Sequence, residues 1–199
     1  MILITYKTHN IGGLFIGLIF LGFPLKYIFA YFDIFTISIM FILYVYSLYI
    51  GSLFPDIDHP KSYIGRRFPI VSDIIKTKFG HRGFMHSLLL IYCLIIVSFL
   101  INIIFKIFYP HIYSVINIYI HTIECGFILG CVSHIFFDMF NPSGVCIFYP
   151  NTKKYRLPLA PIINLKSSSE KALSNFLSFF NSILLIYYLY LFIEFVIIS

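Results

Sequence analysis

From His86 to Phe108 the chain reads "HSLLLIYCLIIVSFLINIIFKIF", with Lys106 as its single Lys, Arg, Asp or Glu. That run meets the roughly 20 apolar residues a helix needs to cross a hydrocarbon core. Similar runs lie near residues 9–30, 34–54, 119–140 and 177–198. Only 11% of the 199 residues are charged, against about 25% in a soluble domain. Backbone polar groups in lipid must be bonded within their own segment. The expected fold is therefore all-α: a polytopic integral membrane protein with about five transmembrane helices, forming one membrane-embedded domain over residues 1–199.

The first run follows Lys7, and its uninterrupted core, Ile11 to Phe23, leads to no small-x-small cleavage site. It reads as a retained span rather than a signal peptide. Pro24 should kink or end it, with Lys26 free to snorkel outward. "KSSSEKALSN" (166–175) reads as a polar loop leading into the last helix. Cys93, Cys125, Cys131 and Cys146 show no CxxC pairing, and all but Cys146 lie in apolar runs. They fit packing better than a disulfide framework.

In a membrane chain the net charge of +6 says less than where the charges fall; no nucleic-acid partner is expected. Lys7 precedes the first span. Lys61, Arg66, Arg67, Lys76, Lys78 and Arg82 lie between the second and third, and Lys153, Lys154, Arg156, Lys166 and Lys171 between the fourth and fifth. Only Lys26 and Lys106 fall on the other side. The positive-inside rule then predicts a cytoplasmic N-terminus and an external C-terminus.

This topology gathers the polar residues. His9 opens span one, and Asp56, Asp58 and His59 of "GSLFPDIDHP" follow span two. His81 and His86 of "GHRGFMHS" precede or open span three, and His134 and Asp138 of "SHIFFD" close span four. All eight are expected at one membrane face, and all are metal-ligand types. His134 and Asp138, four residues apart, share one helical face. An extended segment would turn Asp56 and Asp58 to the same side. On a continuous helix His81 and His86 would diverge by about 140°, so His81 is expected in the Gly80–Gly83 turn and His86 in the first helical turn. Alone, His134–Asp138 reads equally as a buried pair, and Asp58–His59–Pro60 as a helix stop. Together the eight point to a bound divalent cation. His111, His121 and Glu124 fall elsewhere and read as ordinary residues.

"LFPDIDHPKSYIGRR", "FGHRGFMHSLL", "SHIFFDMFNPSGVCIFYP" and "YRLPL" resemble the YdjM family of bacterial inner-membrane proteins, from about Gly51 to Pro161, with a weaker likeness near His9. The resemblance implies a multi-pass protein of the bacterial inner (cytoplasmic) membrane and a metal-dependent hydrolase. More distantly, the order His, Asp, His, HxxxD is similar to the all-helical zinc-dependent phospholipase C and P1 nuclease group. By that likeness His9, Asp56, His81 or His86, His134 and Asp138 would be metal ligands. That group also uses a late His/Glu-type pair and an N-terminal amine. No counterpart follows Asp138, so one or two ions, zinc by type, are expected.

A metal-bound water becomes a nucleophile near neutral pH. Asp58 would act as general base and Arg82 would grip developing phosphate charge. Arg66 and Arg67 serve either that end or contact with anionic lipid. There is no HExxH or GxSxG motif. The expected activity is hydrolysis of a phosphoester or related ester of a membrane-associated, phospholipid-like substrate, with the lipid bilayer as the other partner. The competing readings are a regulator or scaffold with a structural metal, and a transporter. The latter would place its site near the midplane of repeated halves, whereas these ligands sit at one face and no repeat is visible.

Overall fold

A computed structural model describes residues 5–158 and 167–198; Lys166 and the end of the family-like stretch, 159–161, lie outside them. The chain forms helices α1 (Tyr6–Leu21), α2 (Leu25–Tyr31), α3 (Ile34–Gly51), α4 (Pro69–Phe79), α5 (Leu88–Phe108), α6 (Pro110–Asp138) and α7 (Ser167–Ile198). Two 3-10 turns, Phe54–Asp58 and Phe84–His86, interrupt the loop regions. Among the described residues there is no β-strand, only an isolated bridge between Val145 and Tyr155.

Four helices are long and apolar enough to cross a membrane: α3 with the turn that follows it (Ile34–Asp58), α5, α6 and α7. The expected first span is divided. α1 ends at Leu21 and α2 begins after Pro24, whose missing N–H and ring cannot be accommodated inside a helix. The pair still runs from the level of His9 to the start of α3, where the Asp33 carboxylate accepts from the N–H groups of Phe35 and Thr36. Such an N-cap satisfies donors that would otherwise be orphaned. The fourth and fifth spans begin earlier than hydropathy suggests. Pro110 sits at the first helical turn of α6, where its missing N–H costs nothing. The polar residues from Ser167 onward are helical rather than a loop.

Small residues set how closely the helices approach. A Cβ on Gly130 of α6 would lie 2.5 Å from the Leu48 carbonyl oxygen and 2.7 Å from the Ser52 nitrogen. Only glycine permits that contact, as at other membrane helix interfaces. α1 runs antiparallel to α3, and the Tyr44 hydroxyl donates to the Gly17 carbonyl at 2.8 Å. α7 holds α1 in turn. Glu170 accepts from Thr5 N–H at 2.7 Å and from the Thr8 hydroxyl at 2.9 Å. Further along, Asn181 donates to the Ile11 carbonyl and the Tyr188 hydroxyl to that of Leu18. These contacts fix the depth of α1, and with it His9. The four cysteines are free.

Candidate metal centre

Five elements deliver polar side chains to one end of the bundle. α1 supplies His9, the turn after α3 supplies Asp56 and Asp58, and the loop and turn before α5 supply His81, Arg82 and His86. The last turns of α6 supply His134 and Asp138. His9, Asp58, His86, His134 and Asp138 are all buried. Asp56 keeps a side-chain exposure of 25% and His81 one of 32%.

The close approach of α3 and α6 places the Ser52 carbonyl 2.6 Å from His134 Nδ1. A carbonyl only accepts, so Nδ1 carries the proton and Nε2 is left with its lone pair directed inward, as in metal-ligating histidines. Around that atom, His134 Nε2 lies 3.6 Å from Asp56 Oδ1 and 3.8 Å from Asp138 Oδ2. His9 Nε2 lies 3.5 Å from Asp138 Oδ1, and the His9 and His134 rings stack with centroids 3.8 Å apart. His86 Nε2 is 3.1 Å from Asp138 Oδ2 and 3.7 Å from Asp56 Oδ1.

Two triads result: His9, His134 and Asp138, and Asp56, His86 and His134, each with ligand atoms within 4.8 Å of one another. Atoms bound tetrahedrally at about 2.1 Å from zinc are separated by roughly 3.4 Å. Most separations here need contract only by tenths of an ångström. Moreover, His134 Nε2 and His9 Nδ1 are buried without a hydrogen-bond partner, while His86 sits between carboxylates, Nε2 3.1 Å from Asp138 Oδ2 and Nδ1 3.3 Å from Asp58 Oδ2. A buried polar atom left unpaired costs about 1–3 kcal/mol, and the donor set around His134 fits a divalent cation by type and spacing. Charge agrees with geometry. Arg82 pairs with Asp138 through its guanidinium and with Asp58 through its N–H, while Asp56 faces His86 and His134, which leaves carboxylate charge to be balanced. Burial alone would depress the pKa of His86, but its contacts with Asp138, Asp56 and Asp58 outweigh this and hold it well above the ordinary histidine value. A proton on His86 thus stands where a metal ion would otherwise supply positive charge.

Asp58 lies behind the centre rather than in it. The turn is 3-10, not extended, so Asp56 and Asp58 take different sides of His86. Asp58 Oδ2 accepts the Arg82 N–H at 2.8 Å and lies 3.3 Å from His86 Nδ1, while Oδ1 lies 3.1 Å from His81 Nδ1. With both oxygens engaged, it is placed to orient His86 and His81. Arg82 adopts φ 60°, a left-handed conformation costing roughly 1–2 kcal/mol outside glycine. That conformation lets its N–H reach Asp58 while its guanidinium donates to Asp138 at 3.1 Å and to Ser143. His86 occupies a 3-10 turn just before α5 instead of the first helical turn. His59 joins neither triad; its Nδ1 accepts the Lys61 N–H at 3.2 Å, and its ring lies edge-on to His81.

Ser52, Asn141 and Ser143 were not singled out by sequence. Asn141 donates to Asp138 Oδ1 at 2.7 Å; its place three residues after Asp138 in "FDMFN" was the available signal. Above the cluster opens a cavity of about 260 Å³, bordered by His9, Asp56, His81 and Arg82 within and by Lys61 and Arg66 at its rim.

A bundle of apolar helices with a His–Asp cluster at one end is a multi-pass membrane protein with a candidate metal site. The family model described as "YdjM inner membrane protein" matches residues 4–198, and the chain belongs to that family, a multi-pass protein of the bacterial inner membrane. It is 38% identical to the inner membrane protein YdjM of Escherichia coli (strain K12) over 113 residues, 57% of this chain and 52% of that protein. The same figures hold for YdjM of Shigella flexneri. With YvsG of Bacillus subtilis (strain 168) it shares 36% over 110 residues, 55% of this chain and 59% of that one. The matches thus span little more than half the length of these curated relatives. No solved structure matches the chain, and the likeness to the phospholipase C and P1 nuclease group rests on motif order alone.

Proposed function

We propose that the chain is a membrane-bound, metal-dependent hydrolase acting at the cytoplasmic face on a phosphoester or related ester of a membrane-associated substrate. The observation that carries the reading is the convergence of ligand-type side chains on His134, beneath a cavity with a basic border. His9, Asp56, His86, His134 and Asp138 would hold one or two divalent cations, zinc by ligand type. Such a cation would polarise an ester oxygen and lower the pKa of water near it.

The chain's own residues supply the rest. Arg82 lines the cavity while bonded to Asp138, so it can meet an anionic substrate without leaving its buried position. Lys61 and Arg66 add positive charge at the entrance. Asp58 fixes His81 through Nδ1, which leaves Nε2 as the ring nitrogen able to take or give a proton. The general-base role expected of Asp58 passes to His81, with Asp58 as its orienting carboxylate.

The test joins metal analysis of protein purified without chelators to a screen of phosphodiester and phospholipid hydrolysis. Bound zinc, with hydrolysis lost in His81→Ala while zinc is retained, is the expected result. Protein that binds no divalent metal would overturn the site. Metal-loaded protein that cleaves no ester would leave a structural metal in a non-catalytic regulator.

A further inference from the structure

α4 has 11 residues, about 16 Å at 1.5 Å per residue, roughly half of a 30 Å hydrocarbon core. It cannot span. Its position is nevertheless at the membrane, because Ile75 packs on a cluster formed by Ile57, Met85 and Leu90. Ile57 lies where the α3 span ends and Leu90 in the first turn of α5. The helix is therefore held at the level where two spans enter the bilayer.

Its outward face is apolar. Ile70, Ile74 and Val71 are 76%, 51% and 45% exposed. At 100° per residue they share an arc about 100° wide, with Lys76 on the opposite side and Asp73 about 110° from the arc's centre. Thr77 lies at the edge of the arc, and Lys78 within it at the C-terminal end, where a long side chain can reach out to headgroups. Phe68, one residue before α4, and Phe79, its last residue, are exposed as well. Arg66, Arg67, Lys76 and Lys78 are also exposed, and Asp73 is the sole acid between Arg66 and Lys78. Arg67 lies partly over the Tyr63 ring, 4.4 Å from its centroid. A short amphipathic helix with an open apolar arc and flanking bases matches segments that lie in the headgroup region of anionic membranes.

We propose that α4 lies in the plane of the cytoplasmic leaflet, with Ile70, Val71 and Ile74 in the acyl boundary and its basic residues on anionic headgroups. The bilayer that surrounds α3 and α5 continues onto this face, so the occupant is lipid rather than a second protein. Arg66 lies three residues before α4 and borders the cavity; the same contact would hold the cavity mouth among headgroups. The proposal stands independently of any metal.

The chain contains no tryptophan, so an introduced one reports alone. Ile70→Trp, Ile74→Trp and Asp73→Trp would each be reconstituted into vesicles of phosphatidylcholine with and without phosphatidylglycerol, using lipids brominated on the upper acyl chain. The expected result is blue-shifted emission and several-fold stronger quenching for Ile70→Trp and Ile74→Trp than for Asp73→Trp, increased by phosphatidylglycerol. In wild-type protein, trypsin cleavage after Lys76 and Lys78 should fall several-fold on transfer from detergent to the phosphatidylglycerol vesicles. Water-like emission from all three variants, with undiminished cleavage, would overturn the proposal. Equal quenching with and without phosphatidylglycerol would overturn its anionic preference.

Discussion

α6 carries two His–carboxylate pairs, and they behave differently. Near its inner end His134 and Asp138 are four residues apart; further out His121 and Glu124 are three apart. The outer pair is closed. Asn102 Nδ2 donates to both Glu124 oxygens at 2.8 and 2.9 Å, His121 Nδ1 lies 3.3 Å from Oε2, and the Tyr113 hydroxyl donates to Asn102. His121 is itself half exposed, at 54%. In the inner pair His134 Nε2 is buried without a hydrogen-bond partner, and Asp138 Oδ2 faces His86 Nε2 of another element at 3.1 Å. Spacing on a helix brings ligand types together, but only the inner pair joins ligand-type side chains from other elements; the outer pair is a polar clasp between two spans.

That contrast can be broken most sharply at His134, which both triads share. His134→Ala should lower divalent-metal affinity by more than the roughly 10- to 100-fold typical of losing an outer partner of a ligand, as read by calorimetry on protein in nanodiscs. His121→Ala should leave affinity unchanged. Equal losses would erase the distinction.

Asp58→Asn should weaken metal binding by about 10- to 100-fold, because it frees His86 and His81 while leaving every central ligand in place. The carboxylates around His86 hold its pKa well above the usual histidine value, so a metal bound there as proposed would displace a proton. Affinity should rise with pH, by about tenfold per unit for one proton, until His86 would titrate unaided. Proton release measured in buffers of different ionisation enthalpy checks this; no release would place the ion away from His86.

Smaller effects come from the scaffold. Gly130→Val would force α6 away from α3 and move the Ser52 carbonyl from His134. A cost of about 1–3 kcal/mol is expected, with reduced metal affinity and a lower unfolding midpoint. Glu124→Gln retains an acceptor for Asn102 and should cost only about 0.6 kcal/mol, as do typical hydrogen bonds between membrane helices.

Much of this was legible in the sequence because lipid imposes simple rules. Run length gave the helical class, and the break at Pro24 was readable from backbone chemistry. The unequal distribution of Lys and Arg sorted His9, Asp56, Asp58, His59, His81, His86, His134 and Asp138 to a common face, of which His9, Asp56, His86, His134 and Asp138 form the triads. The role of Asp58 was not legible, since it depends on whether "PDID" is extended or 3-10, a choice made by tertiary packing. His59 has the right chemistry, but the backbone at Lys61 claims its Nδ1. α4 was hidden among charges, where an apolar arc of three residues is too short to register as a hydropathy peak. The start of α7 at Ser167 was masked by serines that favour loops unless neighbouring helices hold them.

The tie between Glu170 and the start of α1 has a consequence for biogenesis. His9 enters the translocon long before the segment that secures its depth, and His134 follows only after α5 has been handed to lipid. A nascent chain arrested ahead of α6 would present His9, Asp56 and His86 without the histidine common to both triads. If the proposed centre takes a metal, its capture should be a late step in insertion, first possible once α6 is in place and completed when α7 fixes the amino-terminal helix. Ribosome-bound intermediates of increasing length, probed for zinc retention, would show that order as a threshold rather than a gradual rise.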